Sequence, residues 1–94
     1  MNISKAEELF AERAINAAIR YLFRVEKLRA GDPRFDRLPT LLHEHAPEAF
    51  ATTLREVGEA ASLGMDLVAN EVFMTDAMLC GVFVARLALQ EKGA

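Results

Sequence analysis

Tryptophan is absent, cysteine occurs once, and the 94 residues hold only three prolines and five glycines. A single cysteine, Cys80, cannot build an intramolecular disulfide framework, so the fold must rest on its core. Few breakers and few β-branched residues leave little material for a sheet and favour helices throughout. The N-terminus, MNISKAEELF, has neither the basic start nor the apolar run of a secretory signal, which predicts a cytoplasmic protein. There is no Gly-rich phosphate loop, no nucleophile elbow and no HExxH pair. These absences predict a protein that is not an enzyme and that holds no cofactor and no metal.

What is present is apolar surface and unevenly placed charge. Hydrophobic residues make up 52% of the chain, enough for one helical domain over residues 1–94. Net charge is −3, yet residues 1–40 hold eight Lys/Arg against six Asp/Glu, and residues 41–94 hold three against eight. Such an asymmetry predicts a dipolar surface and argues against a general nucleic-acid binder.

The spacing predicts an all-α bundle of three main helices, about 4–29, 47–73 and 76–91, with a short helical segment in the 32–46 connection. Ser4 with Glu7 reads as a capping box, and Gly31 before Asp32-Pro33 as the stop of the first helix. Phe10, Ala14, Ala17, Tyr21, Val25 and Leu28 line one face of it. Asp32-Pro33 caps a turn that points Phe35 and Leu38 inward, Pro39 opens a short piece, and Pro47 ends it. From there Phe50, Leu54, Val57, Ala61, Met65, Val68 and Val72 recur at helical spacing, which predicts one long helix despite Gly58 and Gly64. Those glycines then mark close helix packing. A break near Ser62-Leu63-Gly64 is the rival reading. A turn at Met74-Thr75-Asp76 leads into the last helix, with Thr75 or Asp76 as its cap.

That last helix carries the sharpest signal. Ala77 to Leu89 hold one charge, Arg86, and are apolar on every side. A helix of that kind needs cover on all sides. The run is too short to cross a bilayer, which predicts no membrane partner. A three-helix chain can cover two of its faces, so the remainder predicts self-association, most simply as a twofold dimer. The surface assigned to it comprises Cys80, Val84, Leu87 and Ala88 with Ile15, Ile19 and Phe23 of the first helix. Ala77, Gly81 and Ala85 form a small-residue ladder that lets two backbones approach.

Three further groups have chemistry worth weighing. His43, Glu44 and His45, with Glu48 beyond, include ligand types, but a spacing of two sends the histidines to nearly opposite sides of a helix. Arg13, Arg20, Arg24 and Lys27 align on the first helix as a basic strip that could meet phosphates, or simply as its solvated face. Glu48, Glu59 and Asp66 line the middle helix as an acidic face that could complement a basic partner, with the same plain alternative. Together these predict a non-enzymatic protein–protein interaction module, a homodimer that binds and modulates another macromolecule. The alternatives are a nucleic-acid-binding regulator using the basic strip, and an inhibitor of the phage or mobile-element type whose acidic face occupies a basic surface of a host protein.

Overall fold

The computed structural model describes residues 3–62 and 70–91, and the side chains of residues 5–58 and 70–91. Among the described residues every regular element is helical: α1 (Ile3–Arg24), a 3-10 turn (Pro33–Arg37), α2 (Leu38–Ser62) and α3 (Glu71–Gln90). The three α-helices pack against each other, as an all-α three-helix bundle requires. The boundaries depart from the spacing-based ones in ways that move the functional surface.

Helix α1 starts at Ile3, one residue before the expected Ser4 cap, and ends at Arg24 instead of near residue 29. Its stop is Lys27, not Gly31. Lys27 takes a positive φ of 58°, and the Leu28 N–H then donates to the Leu22 carbonyl at 2.9 Å. This reversal lays Leu28 half-buried on the core and leaves Val25, expected inward, exposed. A side chain with a Cβ pays for the left-handed region, and Leu28 burial offsets that cost.

The connection behaves as expected up to Arg37. Asp32 caps the 3-10 turn, accepting from the Arg34 N–H at 2.9 Å, and Leu38 is buried. Asp32 also takes a two-pronged bond from the Arg34 guanidinium at 2.9 and 2.7 Å. That cation and the capping N–H hold its carboxyl down at about 2. Arg37 makes a similar fork with Glu91 at 2.6 and 2.8 Å, fastening the connection to the end of α3.

Helix α2 absorbs the segment expected to stand alone and runs straight through Pro47. Pro39 is harmless in the first turn, where its missing N–H has no intrahelical duty. An interior proline costs roughly 3 kcal/mol. Burial outweighs it here: Leu38, Leu42 and Ala46 before the proline and Phe50, Thr53 and Val57 after it form one inward stripe, while Pro47 faces out. At Gly58 the backbone leaves helical torsions (φ 0°, ψ −79°) with no atom crowding the position. Gly58 therefore marks a kink and not a close helix contact; Gly64 lies outside the described residues.

The long helix expected over 47–73 does not continue to Phe73. Asn70 has extended torsions and its side chain accepts the Phe73 N–H at 3.0 Å, so α3 begins at Glu71. Met74, Thr75 and Asp76, expected in a turn, are helical. An asparagine cap with Glu71 behind it is a stronger start than Thr75, because it satisfies an orphan N–H and places a carboxylate on the helix dipole.

One aromatic from each helix meets at the centre. Phe10 stands edge-on to Phe50 at 5.6 Å and to Phe73 at 5.7 Å. The small-residue ladder does what its spacing suggests. Gly81 packs on the α1 backbone so tightly that a Cβ there would collide with the Ala14 carbonyl oxygen and lie 2.9 Å from the Ala17 Cβ. The ladder thus decides which side of α3 faces inward.

Candidate functional site

The ladder's placement overturns the surface first assigned to self-association. Cys80, Val84 and Ala88 are buried inside the monomer, and Leu87 is half-buried. Bulky side chains cannot occupy a contact where two backbones nearly touch, so the large apolar residues of α3 are rotated outward. Val72 (45% exposed), Met78 (51%), Leu79 (61%) and Phe83 (52%) form its outer side, with Val82 between them. Ile15 and Ile19 are half-buried, and Ile15 faces a groove between α1 and α2 that contains no α3 residue. Phe23 is exposed beside Phe35, with ring centroids 4.7 Å apart. The seven residues expected on one surface are therefore divided among a core and two separate faces.

The outer side of α3 repeats in sevens. Val72, Leu79 and Arg86 form one row, and Thr75, Val82 and Leu89 another, four and three residues apart. That spacing is the one a coiled-coil seam uses. Among the described residues Val72 and Leu79 are exposed, Val82 is half-buried, and Leu89 is half-buried against the core. By length and composition α3 could also cross a membrane: it has 20 residues, and an 18-residue window within it has a mean hydropathy of 1.8. The expectation that its apolar run is too short rests on residues 77–89 and on the acids that precede them, Asp76, Glu71 and Asp66; the helix is longer than that run and includes Asp76 and Glu71. Its inner side is nevertheless committed to α1 and α2.

Beside the seam, a cleft of about 470 Å3 separates α2 from α3. Its apolar wall is Leu79 and Phe83, and the His45 ring stands edge-on to Phe83 at 5.5 Å. Its polar wall holds Glu56 and Asp76, which share a hydrogen bond that raises the Glu56 carboxyl above the usual range. Behind them, buried Thr53 places its hydroxyl 2.9 Å from the Asp76 carboxylate and 3.0 Å from the Ala49 carbonyl. One hydroxyl proton serves one acceptor at a time, so Thr53 donates either to Asp76 or to Ala49. The hydrogen bond with Asp76 leads the Glu56 shift, charge repulsion between the two carboxyls adds to it and desolvation comes last, and a cation brought to the cleft would weaken the repulsion.

Among the described residues the cleft's thiol is not activated. Burial pushes the Cys80 thiol up, away from the thiolate form, and among the described residues no hydrogen bond joins it to His45. The histidines diverge as their spacing requires: His43 lines the α1–α2 groove and His45 the α2–α3 cleft. Arg13, Arg20 and Arg24 do share one side of α1, but Lys27 lies past its end in a reversed backbone and leaves the strip. On the acidic face, Glu48 is exposed on α2; the Glu59 side chain and Asp66 lie outside the described residues. The Glu56–Asp76 pair was not foreseen. Twenty residues separate the two, and only the packing of α2 on α3 joins them.

No family model matches the chain, and neither a curated protein nor a solved structure matches it.

Proposed function

We propose that the protein is a non-enzymatic protein–protein interaction module that works as a homodimer, paired through the outer side of α3. The observation that carries this reading is the seam of exposed Val72 and Leu79 with half-buried Val82, flanked by Met78 and Phe83. A second copy is the occupant that this seam fits, because its pattern is self-complementary. In an antiparallel pair, first-row residues face second-row residues. Leu79 then sits opposite Val82, Val72 opposite Leu89, and Arg86 opposite Thr75, twice over by symmetry. The lone cation of the seam is thereby delivered beside the Glu56–Asp76 pair of the other chain. A guanidinium there relieves the repulsion between the carboxyls. An apolar seam with one such charge pair at each end specifies register as well as adhesion.

Cross-linking tests the pairing. Mild oxidation of a Leu79→Cys chain mixed with a Val82→Cys chain should give the mixed disulfide in preference to either symmetric one. Buried Cys80 should stay out of the reaction. Absence of any cross-link at micromolar concentration would contradict dimerisation; preferred symmetric disulfides would replace the antiparallel register with a parallel one.

A further inference from the structure

The groove between α1 and α2 lies away from the α3 seam, and its design differs. About 570 Å3 in volume, it is floored by Phe10, Leu42 and Phe50 and walled by Ile15 and Ala46. On α1 it runs from Glu7 to Ile15, roughly 12 Å of helix, and on α2 from Pro39 to Phe50, roughly 16 Å. Two or three turns of a further helix fit that length. In bundle terms it is, among the described residues, a vacant fourth position beside three packed helices.

Its rims carry one sign of charge. Glu7, Glu8 and Glu12 stand exposed along the α1 rim, and among the described residues none of them is ion-paired. Glu8 and Glu12 are one turn apart, a like-charge spacing that disfavours the helix carrying it. On the α2 rim, Pro47 has no N–H to give the His43 carbonyl, so an acceptor of the backbone is freed at the groove's edge. An apolar floor between electronegative rims matches one chemistry: a helix with apolar anchors at i, i+4 and i+7 and lysines or arginines on both flanks.

We infer that the α1–α2 groove is the docking site for a cationic amphipathic helix of a partner protein. The apolar row of that helix seats on Phe10, Leu42 and Phe50, and its cations pair with Glu7, Glu8 and Glu12. This gives a partner chemistry to the interaction module proposed above, but the groove belongs to one chain, so its occupancy does not depend on dimerisation.

The probe is a fluorescent synthetic peptide of about three turns, with leucine anchors in the row and lysine flanks. Its controls are the same peptide with glutamate flanks and a scrambled sequence. Anisotropy titration should show saturable binding of one lysine peptide per chain, no binding of the glutamate peptide, and weakening as salt rises. Reversal at the exposed rim, Glu8→Lys with Glu12→Lys, should leave the helical circular dichroism intact and weaken binding at least tenfold. Leu79→Asp, on the other side of the molecule, should leave it unchanged. Absence of saturation, equal binding of the glutamate peptide, or indifference to the rim reversal would overturn the assignment. Loss of binding in Leu79→Asp would move the peptide to the α3 seam. If the rim reversal halves the mass of the free protein instead, a second copy fills the groove and the inference fails.

Discussion

At the residue scale, the most informative group is Glu56, because its environment makes stability depend on pH in a particular direction. Its carboxyl is raised by Asp76, so the fold binds a proton more tightly than the open chain does. That contribution is full below the usual carboxylate range and is lost as pH rises through the raised value. Asp32 and Glu91 act oppositely. Arginine partners hold both down, so their contribution is present above the usual range and disappears on acidification, for Asp32 at about 2. Replacing Glu56 with glutamine keeps a hydrogen-bond donor for Asp76 without the second charge. In a Val82→Asp background, where no second copy supplies Arg86 and the added carboxylate lies outside the cleft, Glu56→Gln should raise the melting temperature at pH 7. The two proteins should converge below pH 4. Thermal denaturation followed by circular dichroism reads the difference; equal melting at pH 7 would mean the carboxyls do not repel. None of this was legible in the chain, where Glu56 looks like one more solvated acid. The Cys80 reading erred for a related reason. A helix apolar on all sides has no preferred inward face until packing chooses one, and Gly81 against Ala14 made that choice.

At the scale of elements, the sequence shows helix type clearly and helix ends poorly. The three-helix content follows from composition and 3.6-residue spacing, and those survive folding unchanged. Ends depend on contests between local preference and burial; burial won two of them and a local cap the third. Leu28 pulled the chain into a reversal at Lys27, four residues before the glycine that looked like the stop. The stripe of Leu38, Leu42, Ala46, Phe50 and Val57 carried α2 across Pro47. Asn70 capped α3 inside what spacing joined into a single helix. The stripe across Pro47 was visible all along, and weighting burial above the proline would have found it. Since the proline is tolerated and not required by the bundle, Pro47→Ala should stabilise the monomer by about 1–3 kcal/mol, the lost helical bond less the entropy the ring removes from the open chain. Urea denaturation of the Leu79→Asp protein with and without Pro47→Ala measures it. Destabilisation would show that the core packs around a proline-bent helix and not despite it.

At the scale of the whole molecule, the bundle commits its compact side chains inward and its bulky ones outward. Alanines and Gly81 bring α1 and α3 together, and Phe10, Phe50 and Phe73 fill the centre. Val72, Met78, Leu79 and Phe83 are left over. Surplus apolar surface was legible in the sequence, but its position was not, since that depends on which face the ladder turns inward. The remaining exposures are each about half of a side chain, worth on the order of 1 kcal/mol apiece on burial. Paired twice over, they compete with an association cost of at least about 4 kcal/mol, so adhesion depends on the Arg86 contacts as well. A charge placed in the seam should therefore abolish pairing without touching the core. Light scattering of the purified chain at tens to hundreds of micromolar should approach twice the 10.4 kDa chain mass, while Leu79→Asp should stay at one chain mass with its helical circular dichroism unchanged. A wild-type protein that remains at one chain mass across that range, or a Leu79→Asp protein that still doubles, would contradict pairing through α3.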